Sequence, residues 1–392
     1  MFKQVNKLNF ILIICFSFLL IFGACLKDDG EGNQDEGAET QYLSGTTDAP
    51  MTLENIYEDP QRIDYFVDGN WSIDAAVTVE PGVRIVMKSG MRIIIKAEGS
   101  LDASGTASKK IYFIGEQDVE GYWDYIRFDN SNNLNNRLIH TVISNGGGYQ
   151  HTEAAVFLDG SSRLIMQNSE VTKSARFGLF VDDTDARLDD FENNTFTECG
   201  QHPIHLDALH QTDYMDANTD FSTGNTYNTI SVDGATSSQP FTVRKVSGAY
   251  KLNGSSNIES DVVIEAGTEI LMGAGARITV RSGASLKAIG SANNRINISG
   301  DQQSKGYWDY ILFDNSNNTN NEFQYVDVSY GGGYQHREGA IYLDGSSLFK
   351  MGNSSVNYSA RNGIHVESNA DFDDSDGNNG FTGNDGDDIH YE

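Results

Sequence analysis

The sequence contains two copies of one long unit, and no other feature constrains its fold as strongly. Four motifs each occur twice, always at the same offset along the chain. They are GYWDY at 121–125 and 306–310, GGGYQH at 146–151 and 331–336, LDGSS at 158–162 and 343–347, and SAR at 174–176 and 359–361. With this one offset, residues 77–207 align on 262–392 without a gap. We therefore divide the chain into a first copy, residues 50–235, and a second copy, residues 236–392.

A shorter signature returns within each copy every 20–30 residues. It consists of an apolar residue, any residue, a second apolar residue and an acid. Its acids are Asp129, Asp159, Asp182, Asp207 and Asp233, then Asp314, Asp344, Glu367 and Glu392. Between these strands lies an Asn-x-x-apolar column, which begins at Asn168, Asn193, Asn353 and Asn378. A β-sandwich would need hairpin turns about every 8–12 residues. The repeat therefore predicts an all-β solenoid of stacked coils.

The opening of each copy resembles that of right-handed parallel β-helix proteins in the pectate-lyase-like superfamily, especially those of bacterial lipoproteins. A strand and a glycine turn at 77–82 precede the run GSLDASGT at 99–106, and residues 262–267 precede a similar run at 283–290. The resemblance covers both copies and implies a right-handed parallel β-helix. Because the opening occurs twice, we expect two tandem β-helices rather than one continuous solenoid.

The N-terminal segment, residues 1–24, has the features of an export signal. Lys3 and Lys7 precede an apolar run at 10–22 that is too short to span a bilayer as a stable helix. The run ends in Gly23-Ala24-Cys25, which resembles the lipobox of bacterial lipoproteins. The resemblance implies removal of residues 1–24 and lipid on Cys25; an ordinary secretory signal is the alternative.

The segment that follows Cys25 is polar, acidic and rich in glycine. This composition predicts a flexible tether over residues 25–49. The acids at 28, 29 and 31 resemble signals that send some lipoproteins to the outer cell surface. We therefore expect an outer-membrane protein that is anchored to the membrane through Cys25 and faces the cell exterior.

The charge balance excludes one class of partner. The chain has 27 basic and 56 acidic residues, for a net charge of −29, and no basic stripe. Such a surface repels phosphate backbones, so nucleic-acid binding is excluded. It is compatible with neutral glycans or divalent cations. Cys199 is the single cysteine after Cys25, so no disulfide framework is expected.

Catalysis has only weak candidates. The resemblance implies either the calcium-dependent chemistry of polysaccharide lyases or the paired aspartates of glycoside hydrolases, yet the chain lacks Asn-Thr-Asp, Gly-His-Gly and Arg-x-Lys at coil spacing. The acids at the strand ends are expected to cap turn N–H groups. The possible acid–base pairs are Tyr149 with His151 and Tyr334 with His336, on a loop that three glycines project from the coil. Duplication of this motif favours binding, because binding modules gain avidity from repetition.

Alternation along the strands predicts a binding face in each copy. If Ile126 and Phe128 point inward, then Trp123, Tyr125 and Arg127 point outward. Exposed rings beside charged groups suit a sugar. The predicted binding residues are Trp123, Tyr125, Glu153, Phe157 and Arg176 in the first copy, and Trp308, Tyr310, Glu338, Tyr342 and Arg361 in the second. The alternative is that the loops 130–136 and 315–321 cover these rings and the rings serve only in packing.

An acidic loop near residue 374 is the candidate metal site. Its possible calcium ligands are Asp371, Asp373, Asp374 and Asp376, which do not have EF-hand spacing. We expect weak calcium binding at most and no other cofactor.

The sequence thus predicts a lipid-anchored surface protein that binds a polysaccharide or a cell-surface glycan, or mediates adhesion, without catalysis. The alternative function is that of a polysaccharide lyase or glycoside hydrolase. A purely structural surface spacer is a third possibility.

Overall fold

Strands form nearly all the regular structure of this protein. The computed structural model describes residues 39–57 and 59–392, which belong to one compact unit. The predicted signal peptide, Cys25 and the start of the tether lie outside the described residues. The helical content of the described part is one short 3-10 helix, Leu209–Tyr214. Within that part, no helix has the length and apolar character needed to cross a membrane.

Strands of the first copy pair in parallel with strands of the next coil along the chain, which produces three ladders. Ladder A1 consists of Gln41–Thr47, Tyr65–Ile73, Arg84–Met87, Ile111–Gly115, Thr141–Ser144, Glu170–Thr172 and Thr195–Thr197. Ladder A2 consists of the end of Tyr65–Ile73, then Ile93–Ile95, Ile126–Asp129, Ala154–Asp159, Phe177–Val181, Ile204–Leu206 and Thr229–Asp233. Ladder A3 consists of Met51–Leu53, Ala76–Val79, Ser100–Ser104, Arg137–Ile139, Arg163–Gln167 and Arg187–Glu192.

The second copy has the same three-ladder pattern. Ladder B1 consists of Ala249–Asn253, Glu269–Met272, Ile296–Gly300, Val326–Ser329, Ser355–Asn357 and Gly380–Thr382. Ladder B2 consists of Thr236–Ser237, Ser255–Ile258, Arg277–Val280, Ile311–Asp314, Gly339–Asp344, Asn362–Val366 and Ile389–Tyr391. Ladder B3 consists of Phe241–Val243, Asp261–Ile264, Ser285–Ile289, Glu322–Gln324, Leu348–Gly352 and Asp371–Asp373. The all-β prediction is confirmed, and the long parallel ladders are consistent with a parallel β-helix.

The strand pairing crosses the boundary between the copies without a break. Thr229–Asp233, the last strand of ladder A2, pairs along its whole length with Ala249–Asn253, the first strand of ladder B1. The expectation of two separate β-helices is therefore wrong. The last strand of ladder A2 would otherwise leave backbone N–H and C=O groups unpaired at its edge. The first strand of the second copy supplies their hydrogen-bond partners. Ladder A2 continues into ladder B1, and not into its own equivalent, ladder B2.

The core lies between the ladders and is filled by alternate residues of each strand. Ile126 and Phe128 pair with Val156 and Leu158 on the next coil, and all four are fully buried in one core cluster. The predicted inward positions on ladder A2 are thus confirmed. Identical positions stack coil upon coil because parallel pairing keeps the register fixed.

The described end of the predicted tether is a strand and not a flexible segment. Gln41–Thr47 is a strand that pairs in parallel with Tyr65–Ile73, and Leu43 is buried in the core. The segment extends ladder A1 and covers its first edge. A polar, glycine-containing strand at the edge of a sheet resembles a linker in composition, which is why the prediction of flexibility up to residue 49 is wrong at this point.

The asparagine column marks one corner of two coils in each copy. The four residues that begin it adopt left-handed backbone conformations, with φ between 51° and 57°: Asn168, Asn193, Asn353 and Asn378. Asparagine tolerates this region better than other residues that carry a side chain. Each one follows a strand of ladder A3 or B3, either directly or after a short turn. The chain then enters ladder A1 or B1. The column is therefore a corner signal.

Candidate functional site

The predicted tryptophans belong to the core. Trp123 and Trp308 are fully buried, and the indole Nε1 of each donates a hydrogen bond of 2.7 Å to a backbone carbonyl, Ser144 O and Ser329 O respectively. The prediction that they are exposed is therefore wrong, and it is also wrong for Tyr125 and Tyr310, which are 3% and 7% exposed. The strand begins only at Ile126. Residues 121–125 form a bend that starts at Gly121, whose φ is +65°. Strand alternation does not extend backwards through such a bend.

A cluster of polar and aromatic side chains lies where the chain enters ladder A2 on three successive coils. The guanidinium carbon of Arg92 lies 4.8 Å from the ring centroid of Tyr149 and 5.5 Å from that of Tyr125. Arg92 Nη1 donates to Tyr125 Oη at 3.1 Å, and Arg92 Nε lies 3.3 Å from Asp124 Oδ2. The Tyr149 ring meets Tyr125 edge-on at 5.9 Å and His151 at 5.4 Å. We call Arg92, Asp124, Tyr125, Tyr149 and His151 the first Arg–Tyr cluster.

The second copy builds the same cluster from equivalent residues. The guanidinium carbon of Arg277 lies 5.7 Å from the Tyr334 centroid and 5.9 Å from that of Tyr310, and Arg277 Nη1 lies 3.6 Å from Asp309 Oδ2. The Tyr310–Tyr334 and Tyr334–His336 centroid distances are 5.7 and 5.5 Å. We call Arg277, Asp309, Tyr310, Tyr334 and His336 the second Arg–Tyr cluster. Each member follows its counterpart at the same offset that relates the repeated motifs.

The arginines are the members of these clusters that sequence reasoning missed. Arg92 and Arg277 lie at the start of strands of ladders A2 and B2, outside the repeated motifs used to align the copies. The constant offset nevertheless pairs them, so a comparison of charged residues between the copies would have found them. Their guanidinium groups hold the tyrosine rings by cation–π contact.

The three glycines before each Tyr-Gln-His motif pack the loop down onto the previous coil. Gly147 N donates to Asp124 O at 2.7 Å, and Gly148 N donates to Trp123 O at 3.0 Å. A Cβ on Gly148 would lie only 2.3 Å from Gly121 O. The prediction of a projecting loop is therefore wrong, because the backbones approach too closely for any larger residue. The close approach places Tyr149 over Tyr125.

The members of each predicted acid–base pair are close together on the loop. His151 is exposed, and its Nε2 lies 3.1 Å from Gln150 Nε2. His336 has the same neighbour, Gln335, at 3.2 Å. Ring contact between Tyr149 and His151 follows from the turn that the loop makes, and not from strand alternation.

The remaining predicted binding residues divide into two groups. Phe157 and Tyr342 point outward but are largely covered, since Phe157 packs on Phe180 at 5.0 Å and Tyr342 stacks on His365 at 4.6 Å. The second group consists of the charged residues Glu153, Arg176, Glu338 and Arg361. Within the described residues, no ion pair joins Glu153 to Arg176 or Glu338 to Arg361. The charged groups predicted beside the aromatic rings therefore do not pair with one another.

The acids at the strand ends have more than one role. Asp129 pairs with Lys96 Nζ at 2.7 Å, and Asp159 pairs with Arg127. Glu367 accepts a hydrogen bond from Gly345 N at 3.1 Å, which is the predicted capping role. Capping is thus confirmed at Glu367, whereas Asp129 and Asp159 are held by ion pairs across coils.

Asp182 and its equivalent in the second copy, Glu367, have opposite electrostatic environments. Burial, and then repulsion from Asp207 and Asp159, raises the pKa of Asp182 to about 6. Burial alone would raise the pKa of Glu367, but hydrogen bonds from Gly345 N and Tyr342 Oη outweigh it and lower that pKa.

These shifts predict opposite effects of neutralising the two acids. A raised folded-state pKa gives stability that is present below about pH 4 and lost as the pH rises through about 6. Asp182→Asn should match the wild type at pH 4 and be more stable by about 1–2 kcal/mol at pH 7.5, after allowance for partial solvent screening. Glu367→Gln should be less stable at pH 7.5, with the difference shrinking as the pH falls below about 4.5. Urea unfolding in metal-free buffer at both pH values measures this, and equal effects of the two substitutions would contradict it.

A histidine farther along ladder A2 lies among aromatic rings and carboxylates. His205 is 7% exposed; its ring stacks on Phe177 at 4.8 Å and meets Phe180 edge-on at 4.3 Å. Burial lowers the pKa of His205 to about 4, so the imidazole is neutral at pH 7. Its Nε2 lies 3.7 Å from Asp233 Oδ2, a contact that is therefore not an ion pair at that pH.

The predicted calcium ligands do not converge. Asp371, Asp373, Asp374 and Asp376 are all exposed, and Asp376 Oδ2 is taken up by Lys350 Nζ at 3.0 Å and Gln324 Nε2 at 2.7 Å. Within residues 39–57 and 59–392, one set of His, Cys, Asp or Glu side chains has three possible ligand atoms within 4.8 Å of one another, and it is His205, Asp207 and Asp233.

Comparison of the chain with models of protein families, with curated proteins and with solved structures gave no significant match.

Proposed function

We propose that this chain is a lipid-anchored surface protein with a right-handed parallel β-helix fold, and that it binds neutral glycans at its two Arg–Tyr clusters. One observation carries the proposal: both copies retain the same five side chains in nearly the same arrangement. The Tyr–Tyr centroid distances are 5.9 and 5.7 Å, and the Tyr–His distances are 5.4 and 5.5 Å. Packing does not require every member, since His151 and His336 are exposed.

Other exposed loops have diverged between the copies. Thr184 corresponds to Asn369, and Glu120 corresponds to Lys305. The side chains of the Arg–Tyr clusters are the same in both copies, although other exposed residues differ. This contrast supports selection for a contact that the cluster residues make. Core positions such as Trp123 repeat for packing alone and carry no such information.

The chemistry of the cluster suits a sugar. The partly exposed rings of Tyr149 and Tyr334 can stack on the apolar face of a pyranose, with the buried rings of Tyr125 and Tyr310 beneath them. Arg92 and Gln150 offer hydrogen-bond donors to hydroxyl oxygens. The net charge of −29 disfavours polyanionic glycans, which leaves neutral polysaccharides as the favoured class. Two clusters on one chain would add avidity on a glycan-covered surface.

The binding proposal predicts two sites that can be removed independently. With a short oligosaccharide from a panel of neutral polysaccharides, isothermal titration should give two sites for the full chain, one for Tyr149→Ala and none for Tyr149→Ala with Tyr334→Ala. Each substitution should change the free energy of unfolding by about 1 kcal/mol or less, because both rings are partly exposed.

Tyr227→Ala is the matched control, since this ring is 54% exposed and stacks on His202 without an arginine beside it. Unchanged binding in the double variant would overturn the proposal. Release of reducing ends or unsaturated products from the same panel would replace it with the lyase or hydrolase alternative.

The anchor is tested separately. Cys25→Ala should move the protein from the membrane fraction to the soluble fraction and abolish incorporation of labelled lipid. Membrane association that survives the substitution would contradict the lipobox assignment.

A further inference from the structure

We propose that His205, Asp207 and Asp233 bind one divalent metal ion of the zinc type on the outer side of ladder A2. Their possible ligand atoms lie within 4.8 Å of one another. The site is separate from both Arg–Tyr clusters, and the proposal does not depend on glycan binding.

The histidine is oriented for this role by its surroundings. His205 Nδ1 lies 3.0 Å from Ser231 Oγ, and Ser231 Oγ also accepts from Asn253 Nδ2 at 3.1 Å. A neutral imidazole that donates Nδ1–H to a serine has its Nε2 lone pair free for a metal. Although His205 is more than nine-tenths buried, its Nε2 makes no hydrogen bond within the described chain, and Asp233 Oδ2 is too distant at 3.7 Å to accept one. Nε2 therefore has no protein partner at the point where Asp207 and Asp233 also offer carboxylate oxygens, and this combination points to a ligand.

The carboxylates lack the counterions found earlier on the same ladder. Asp129 and Asp159 have Lys96 and Arg127 as partners, but no Lys or Arg forms an ion pair with Asp207 or Asp233 in the described residues. The negative charge of Asp207 opposes ionisation of Asp182, and the negative charge of Asp233 opposes ionisation of Asp207. A divalent cation would supply the missing positive charge.

The donor set selects the kind of ion. Zinc accepts imidazole nitrogen and carboxylate oxygen at about 2.0–2.2 Å, whereas calcium prefers oxygen ligands alone. Ligands around a tetrahedral zinc ion lie about 3.4 Å apart, so atoms that lie within 4.8 Å of one another must close by at most about 1.4 Å. Both aspartates are partly exposed, and new rotamers allow that movement. With three protein ligands, at least one coordination position is left for water.

The second copy provides an internal control. The equivalents of His205 and Asp207 are His390 and Glu392, and His390 Nδ1 is engaged by Asp387 Oδ2 at 2.9 Å. No corresponding group of three ligands occurs in the described part of that copy. One ion per chain is therefore expected.

The test is titration of zinc chloride into the metal-free, untagged full chain at pH 7.5. We expect one zinc ion per chain, at least a tenfold loss of affinity in His205→Gln and in Asp233→Asn, and no change in His390→Gln. Zinc should also raise the thermal midpoint of the wild type and of His390→Gln, but not of the other two variants.

Asp233→Asn keeps the test valid if His205→Gln misfolds, because Asp233 is partly exposed and circular dichroism can verify its fold. The proposal is overturned if the wild type binds no zinc or if both site variants retain wild-type affinity. Tighter binding of calcium than of zinc would also overturn it.

Discussion

Trp123→Ala should lower the free energy of unfolding by about 3–5 kcal/mol, and Trp308→Ala should do the same. Each indole is fully buried, so truncation leaves a large cavity, and it also leaves the carbonyl of Ser144 or Ser329 without its donor. Urea unfolding followed by circular dichroism measures the loss. We expect any effect on glycan binding to follow from unfolding alone.

Tyr149→Ala is the appropriate comparison, since it removes a partly exposed aromatic ring from the next coil. If Trp123→Ala unfolded at the same urea concentration as the wild type, the indole would have to lie on the surface, and the corrected assignment of the core would be wrong.

Asn136→Ala is expected to cost about 2–4 kcal/mol, from the loss of three buried hydrogen bonds. Asn136 is 1% exposed; its Nδ2 donates to Ser131 O at 2.9 Å and to Ser131 Oγ at 2.8 Å, and its Oδ1 accepts from Leu101 N at 3.2 Å. The amide therefore joins one coil to the previous one. Thermal and urea unfolding of the single variant measure the effect.

The neighbouring Asn135→Ala is a matched control, because Asn135 is exposed and has the same side chain in the same loop. It should change stability by no more than about 0.5 kcal/mol. Equal effects of the two substitutions would show that the loop contributes through its backbone and not through the Asn136 amide.

The sequence was sufficient to predict the strand positions and much of the stacking, for a simple physical reason. Parallel pairing repeats each inward position at the same point of every coil, so Ile126, Phe128, Val156 and Leu158 could be assigned inward from alternation alone. The apolar-x-apolar-acid signature marks ladders A2 and B2, and the asparagine column marks the corner before ladders A1 and B1.

The errors lie where the chain leaves a strand. Trp123 precedes its strand by a bend, so alternation assigned it to the wrong side. The three glycines were interpreted as freedom to project, but at Gly148 the absence of a side chain allows close packing instead. Neither the arginine over Tyr149 nor the group around His205 could be found from one strand, because each is assembled from separate coils.

The continuation of ladder A2 into ladder B1 determines how the protein can act on its surroundings. The Arg–Tyr clusters lie at the entries to ladders A2 and B2, and ladder A2 continues into ladder B1, so the second cluster lies on a different ladder from the first. Seven strand spacings of about 4.8 Å, or roughly 34 Å, also separate them along the stack. One straight saccharide chain would therefore not reach both clusters. A molecule with this geometry would cross-link two strands of a matrix, and its expected signature in suspension is agglutination of glycan-coated particles.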